Sequence, residues 1–211
     1  MINKLIIIGA GGHGKVAADC AEASRRFIEI QFLDDDYPTR EKVAHWDIIG
    51  RADDAADLAA SDTLFFVAIG NNEIRARVSA QLQKMHCSMA TLIHPSAVLS
   101  RHIELGLGSL LCANVTVNID SKIGQGCIIN TAASVDHDCV LEDFVHIAPG
   151  SHLAGTVTIG EQSFVGLGSA IIQGCTVGAF STVGAGSTVL SNVESRTVVA
   201  GSPAKKINNN K

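Results

Sequence analysis

Aromatic residues are the scarcest class in this chain of 211 residues, at 4%, with one Trp and one Tyr. With a net charge of −5, that scarcity excludes nucleic-acid recognition, which needs stacking platforms and basic grooves. Charged residues make up 18%, against about 25% in an ordinary soluble domain. No apolar run approaches the roughly 20 residues of a spanning helix, because Leu5-Ile6-Ile7-Ile8 is stopped at once by Gly9. The apolar core of a secretory leader, roughly 7–15 residues before a cleavage site, is also missing. These absences give the expectation of a cytoplasmic protein without membrane insertion. The 6 cysteines form no C-x-x-C pair, which excludes a zinc knuckle or a thioredoxin-type motif. A hydrophobic content of 46% excludes disorder. The core must therefore be built from Val, Ile, Leu and Ala.

What is present is periodic. Residues 1–95 hold 10 Lys and Arg and 13 Asp and Glu, whereas 96–195 hold only Arg101 and Lys122 beside 8 acids. Every sixth residue from Leu99 through Leu111, Ile129, Ile147 and Ile171 to Val189 is aliphatic, sixteen of sixteen. The residue four further on is small or β-branched at nearly every step, as at Ser109, Cys127, Cys139, Ser151 and Cys175, and Gly often follows the aliphatic position. A period of six fits neither the α-helix nor the coiled coil but is a multiple of the strand period. Each hexad is expected to form a short strand, and three strands a triangular coil of 18 residues. Coils then stack at about 4.8 Å. Such a core is narrow and aliphatic, which accounts for the missing aromatics. The inward cysteines read as small core residues, and none is given a chemical role.

The first ninety residues differ. Lys4-Leu5-Ile6-Ile7-Ile8 reads as a buried strand, Gly9-Ala10-Gly11-Gly12-His13-Gly14 as a loop, and a helix is expected from Lys15 to about Ala23 with Val16, Ala17, Cys20 and Ala21 on one face. Further strands are expected at about 28–33, 64–69 and 90–93, and a helix at about 73–85. Gly9, Gly11 and Gly14 satisfy G-x-G-x-x-G between strand and helix, and Asp34 lies 20 residues beyond Gly14. In that context glycines let backbone amides approach phosphates, and an acid at the next strand end takes a ribose or base. About four strands make only half of a dinucleotide-binding domain, so a nucleotide-sugar is favoured over NAD. Asp34 and Asp35 stand at the carboxyl end of their strand, where such sheets bind ligands.

The hexad repeat resembles the hexapeptide-repeat family, which implies a left-handed parallel β-helix and a homotrimer. The resemblance narrows at Phe66-Val67-Ala68-Ile69-Gly70-Asn71-Asn72-Glu73-Ile74-Arg75 and at Asn130-Thr131-Ala132-Ala133-Ser134-Val135-Asp136-His137-Asp138-Cys139. With the glycine loop and the tail Val199-Ala200-Gly201-Ser202-Pro203, these are similar to bacterial nucleotide-amino-sugar N-acetyltransferases of the bacillosamine and sialic-acid group. The fold class expected is thus an α/β half-Rossmann-like domain (1–95) followed by an all-β left-handed parallel β-helix (96–195) and a tail (196–211). The resemblance implies an acetyl-CoA-dependent acyltransferase acting on a nucleotide-linked amino sugar, of the UDP-4-amino-4,6-dideoxy type. O-acetylation of sialic acid and non-enzymatic nucleotide-sugar binding are the alternatives.

The family's base, a His followed by an acid, falls on His137 and Asp138; the acid here is Asp, one methylene shorter than the Glu of close relatives. Independently, His137 lies in a stretch almost free of titratable groups, and a His near neutral pH suits removal of a proton from an attacking amine. One coil of 18 from His137 reaches Gly155, whose N–H is expected to stabilise the oxyanion. No nucleophilic Cys is suitably placed, so direct attack of the amine on the thioester is favoured. The resemblance assigns Gly11, Gly12, His13, Asp34, Asp35, Gly70 and Asn130 to the sugar nucleotide. His146, Leu167, Ala185 and Gly186 it assigns to acetyl-CoA. His137, His146 and His152 follow at spacings of nine and six, unlike the histidines of zinc-binding β-helix lyases, so no metal is expected. Lys205 and Lys206 are read equally as CoA-phosphate contacts or a solvated pair.

Overall fold

The computed structural model describes residues 4–207; the end of the expected tail, 208–211, lies outside them. The chain divides into two compact units, Met1–Pro95 and Ser96–Lys211.

The first unit is built on β1 (Lys4–Ile8), β2 (Glu29–Leu33), β3 (Lys42–Val43), β4 (Trp46–Gly50) and β5 (Thr63–Val67), in sheet order β3-β4-β2-β1-β5. The interior strand β1 runs parallel to β2 and β5. After Lys4 it is apolar because a strand covered on both faces cannot alternate, and Leu5, Ile6 and Ile7 are wholly buried. On one side Ile6, Leu33, Phe65 and Val67 pack with Leu82 of α3 (Asn72–Lys84) and with Ala55 of the short α2 (Ala55–Leu58). Helix α1 (Gly12–Ser24) buries Gly14, Ala17, Ala18, Cys20 and Ala21.

Three details differ from expectation. Helix α1 begins at Gly12 rather than Lys15, so His13 and Gly14 lie in its first turn. A Cβ on Gly14 would collide with the Gly9 carbonyl oxygen, so the tight junction depends on glycine. Val16 is 42% exposed, because the apolar face is rotated onto Ala17 and Ala18. The fourth parallel strand of this sheet is β4, which pairs with β2. The strand expected at about 90–93 meets β5 only through a single parallel bridge, Phe65 to Met89, with Ala90 N–H on the Phe65 carbonyl at 2.8 Å, before the two-residue strand β6 (Leu92–Ile93).

The second unit is the left-handed parallel β-helix. Two-residue strands stack in register at intervals of 18 on three faces, as in Val117 on Val135, Ile123 on Leu141 and Ile129 on Ile147. The aliphatic ladder is buried from Leu111 to Val189; each fully buried Val, Ile or Leu contributes about 1.5–3 kcal/mol. The serines of the small inward column are buried yet satisfied. Ser151 Oγ donates to the Gly166 carbonyl at 2.8 Å and accepts the Ser169 N–H at 3.3 Å. Cys127 and Cys139 take the same place, their thiols lying 3.1 and 3.2 Å from the carbonyls of Glu142 and Ala154.

The turns repeat as strictly as the strands. From 108 to 186 every sixth residue has positive φ, and eight of these fourteen are not glycine. A left-handed residue of that kind is sterically costly. Here the conformation points its amide along the prism axis, so that Asp138 N–H meets the Ile119 carbonyl at 3.1 Å and Thr156 N–H the His137 carbonyl at 2.9 Å. The corners are thereby hydrogen-bonded between coils like the faces.

Candidate active site

The expected site residues form three groups. In the first unit, Gly11 is the N-cap of α1, and Gly11 and Gly12 are exposed with open space beside their Cα atoms. Asp34 Oδ2 accepts the Ala10 N–H at 2.6 Å and Oδ1 the Asp36 N–H at 3.1 Å. Its carboxylate therefore ties the glycine loop to the end of β2, while Asp35 is exposed. His13 is held neutral, its pKa lowered to about 4 by burial and then by the charge of Arg75. Arg75 itself is buried. It donates to the carbonyls of Ile69 and Gly70 at 2.9 and 3.3 Å and to Asn72 Oδ1 at 2.8 Å. Asn71 caps α3 through the Ile74 N–H at 2.9 Å. This group combines amides at a helix start, which favour anions, with a neutral imidazole able to donate or accept. Sequence reasoning gave Arg75 no role. Its signal was a lone cation at an otherwise buried phase of α3.

The second group sits at one corner of the prism. Asp138 occupies a left-handed turn position, φ 58°, a conformation that Asp tolerates better than most residues. Its Oδ2 meets His137 Nδ1 at 2.7 Å, so the shorter acid spans the gap. That hydrogen bond raises the His137 pKa, opposed by desolvation and aided by the charges of Asp136 and Asp138. Both side chains are about half exposed, at 52% and 54%. Gly155 lies one coil on, at a corner rather than on a strand. A Cβ built there would stand 2.5 Å from His137 Nε2 and Cε1, so the ring rests on the bare Cα. A base oriented through Nδ1, with Nε2 beside a glycine backbone, can take a proton from a bound nucleophile. Asp136 completes the corner, its Oδ1 accepting the His137 N–H and Asn118 Nδ2, both at 2.8 Å. Neither Asp136 nor Asn118 was singled out from the sequence, where each looks like a solvated turn residue.

The third group lies on a different face and corner. His146 is buried, its Nε2 accepting from Asn130 Nδ2 at 3.2 Å, and Phe164 meets it edge-on at 5.1 Å. Asn130 Oδ1 accepts the Thr131 N–H at 2.8 Å. Leu167 and Ala185 are exposed, and Gly186 N–H donates to the Leu167 carbonyl at 2.7 Å. The fold thus joins Asn130 to His146 and Leu167 to Gly186. It does not bring either pair to His137 within one prism, since 146 follows 137 by half a coil. His152 is exposed and bonds Ser134 Oγ at 2.8 Å. Among the described residues no cluster of His, Cys, Asp or Glu is arranged to hold a metal, and no helix is long and apolar enough to cross a membrane. The 6 cysteines are buried and form no disulfide, with Cys112 pushed up to about 12 by burial.

Comparison with known proteins covers both units. The family model described as the PglD N-terminal domain matches residues 4–82. The acetyltransferase domain of PglB from Neisseria gonorrhoeae FA1090, solved in complex with acetyl coenzyme A, is 41% identical. It superposes with a TM-score of 0.95 over 98% of this chain and 100% of that one. A GDP-perosamine N-acetyltransferase of Escherichia coli O157:H7 is 36% identical over 110 residues, 52% of this chain and 50% of its own length. A UDP-N-acetylbacillosamine N-acetyltransferase of Bacillus subtilis (strain 168) is 36% identical over 114 residues, 53% of this chain and 52% of its own. The chain spans about half the length of these curated relatives.

Proposed function

The chain belongs to the hexapeptide-repeat acetyltransferases that carry a PglD N-terminal domain, and from that membership we propose that it moves the acetyl group of acetyl-CoA to the amine of a nucleotide-linked sugar, of the UDP-4-amino-4,6-dideoxy class. The observation that carries this reading is the corner where His137 Nδ1 is bound by Asp138 and the ring lies on Gly155. Nε2 of His137 takes the proton as the neutral amine attacks the thioester carbon. The C–N bond forms, the Gly155 N–H stabilises the oxyanion, and the C–S bond then breaks. The proton leaves His137 with the CoA thiol. Asp138 fixes the ring and steadies the imidazolium in between.

In the first unit Gly11, Gly12 and Gly70 offer backbone to the phosphates, and His13, Asp34 and Asp35 meet the nucleotide sugar. Asn130 serves the sugar, and His146, Leu167, Ala185 and Gly186 serve acetyl-CoA. Because these last positions and His137 occupy different corners, the proposal includes a homotrimer in which acetyl-CoA lies between neighbouring subunits. The exposure of Ile119, Ile172 and Leu190 along the His137 corner supports such packing. The proposal places this reaction in the cytoplasm.

The test is thiol release from acetyl-CoA across UDP-, GDP- and dTDP-linked amino sugars, with sialic acid as an O-acetylation control. A nucleotide amino sugar should support turnover, and His137→Ala should lose roughly 10²–10⁴-fold while the oligomer measured by light scattering is unchanged. Near wild-type turnover by that variant would remove His137 as the base. Nucleotide-sugar binding without thiol release would replace the enzyme reading by a binding one.

A further inference from the structure

The imidazole of His137 is flanked by two carboxylates, and the second does a different job from the first. Asp138 contacts the ring, whereas Asp136 contacts the main chain. Its Oδ1 accepts the N–H of His137 and the side-chain amide of Asn118, one coil away, each at 2.8 Å. The Asp136 backbone is pinned as well. Its N–H reaches the Leu153 carbonyl at 3.0 Å, and its carbonyl accepts Ser121 Oγ at 2.7 Å. The turn holding His137 is therefore tied to the coil on either side. Without the side-chain tether, the 137 amide would have no partner within the corner, and the Cα that aims the ring would be held only through its neighbours.

We propose that Asp136, tethered by Asn118, is a positioning residue for His137, fixing its main-chain amide so that the ring stays on Gly155 and within reach of Asp138. The inference rests on the reading of His137 as the base. The two hydrogen bonds hold Asp136 ionised, with its own pKa lowered by Asn118 first and the His137 amide second. Its charge in turn adds to the raised pKa of His137. On the adjoining coil Gly155 lies directly against the ring. Asp136 and Asp138 are the charges that act on the imidazole. Asp136 accordingly has a geometric part, the accepted N–H, and an electrostatic part. Substitution separates them, because Asn keeps an oxygen acceptor and loses the charge while Ala loses both.

The experiment compares Asp136→Ala, Asp136→Asn and Asn118→Ala in the full chain. It reads kcat, KM and the titration midpoint of His137 by NMR, the signal being assigned by its loss in His137→Ala. Asp136→Ala should lower kcat by about tenfold, since small misplacement of a reacting group is costly, with both KM values within about twofold. Its His137 midpoint should move to lower pH. Asp136→Asn should move the midpoint equally but lose less kcat, and Asn118→Ala should lower kcat with the midpoint nearly kept. Wild-type kcat and an unmoved midpoint in Asp136→Ala would overturn the proposal. Equal kcat in the Ala and Asn variants would overturn its geometric part. Where Asp136→Ala does not fold, the other two variants carry the test. An active His137→Ala would refute the base reading instead, while the NMR midpoint would still report the Asp136 contact.

Discussion

Gly155→Ala places a methyl group where the His137 ring now lies. The backbone at 155 has no left-handed requirement, and the steric conflict is with the imidazole, at 2.5 Å from Nε2 and Cε1. Ordinary van der Waals contact begins near 3.4 Å, so the Nε2 edge of the ring must withdraw by about 1 Å. A displacement of that size at a reacting group costs on the order of 100-fold in rate, equivalent to about 2.7 kcal/mol of barrier. The fold itself should be indifferent or slightly firmer, because replacing Gly by Ala restricts the unfolded chain. The assay is kcat from thiol release, with the melting temperature as control. A variant with unchanged melting and about 1% of the parental kcat is expected. Parental kcat would mean that His137 does not react from the position seen here, and the roles given to both residues would fall together.

Asp138→Asn removes the carboxylate that does most to raise the His137 pKa. The neutral base then persists to lower pH, so the acidic limb of the kcat/KM profile should move down while the plateau falls; an unmoved limb would refute the pairing. Ser151→Ala leaves the Gly166 carbonyl and the Ser169 amide inside the prism without their hydroxyl. Because that amide and carbonyl still meet each other at 3.2 Å, the cost should be that of the lost hydrogen bonds, about 0.5–1.5 kcal/mol, read by chemical denaturation, and unchanged stability would discount the serine column. His13, with a folded pKa of about 4, binds a proton in the unfolded chain first. Its neutral burial is without effect on stability above about pH 6.5 and costs stability progressively as pH falls towards 4, at most about 3 kcal/mol. His13→Asn should flatten that dependence in acid-unfolding curves, and an unchanged slope would contradict the lowered pKa.

The prism was legible because its determinants are local and repeated. Leu111, Ile129 and Ile147 declare one inward column by spacing alone, and a residue 18 positions on must stack directly on its predecessor. His137 and Gly155 could therefore be paired by counting, and half a coil separates His146 by the same arithmetic. In the first unit, the unbroken apolar run of β1 and the glycine loop announced a buried strand and its turn. Strand β4, Trp46-Asp47-Ile48-Ile49-Gly50, escaped because Asp47 interrupts its apolar run and Gly50 closes it, both residues being poor strand formers. The start of α1 was misjudged because glycines are poor helix formers, and close approach to Gly9 overrides propensity at Gly14.

Sequence by itself determined the period, the inward ladder, the glycine loop and the pairing of a His with an acid, since each depends on residues near one another or at a fixed interval. Tertiary structure alone decided which atoms meet. The left-handed turn at Asp138 swings a short carboxylate onto Nδ1, the stacked coil presents a bare Cα to the ring, and Asn118 reaches Asp136 across a coil boundary. These contacts depend on distances of a few tenths of an ångström and on turn geometry shared by many residue types, for which no residue pattern is a sufficient code.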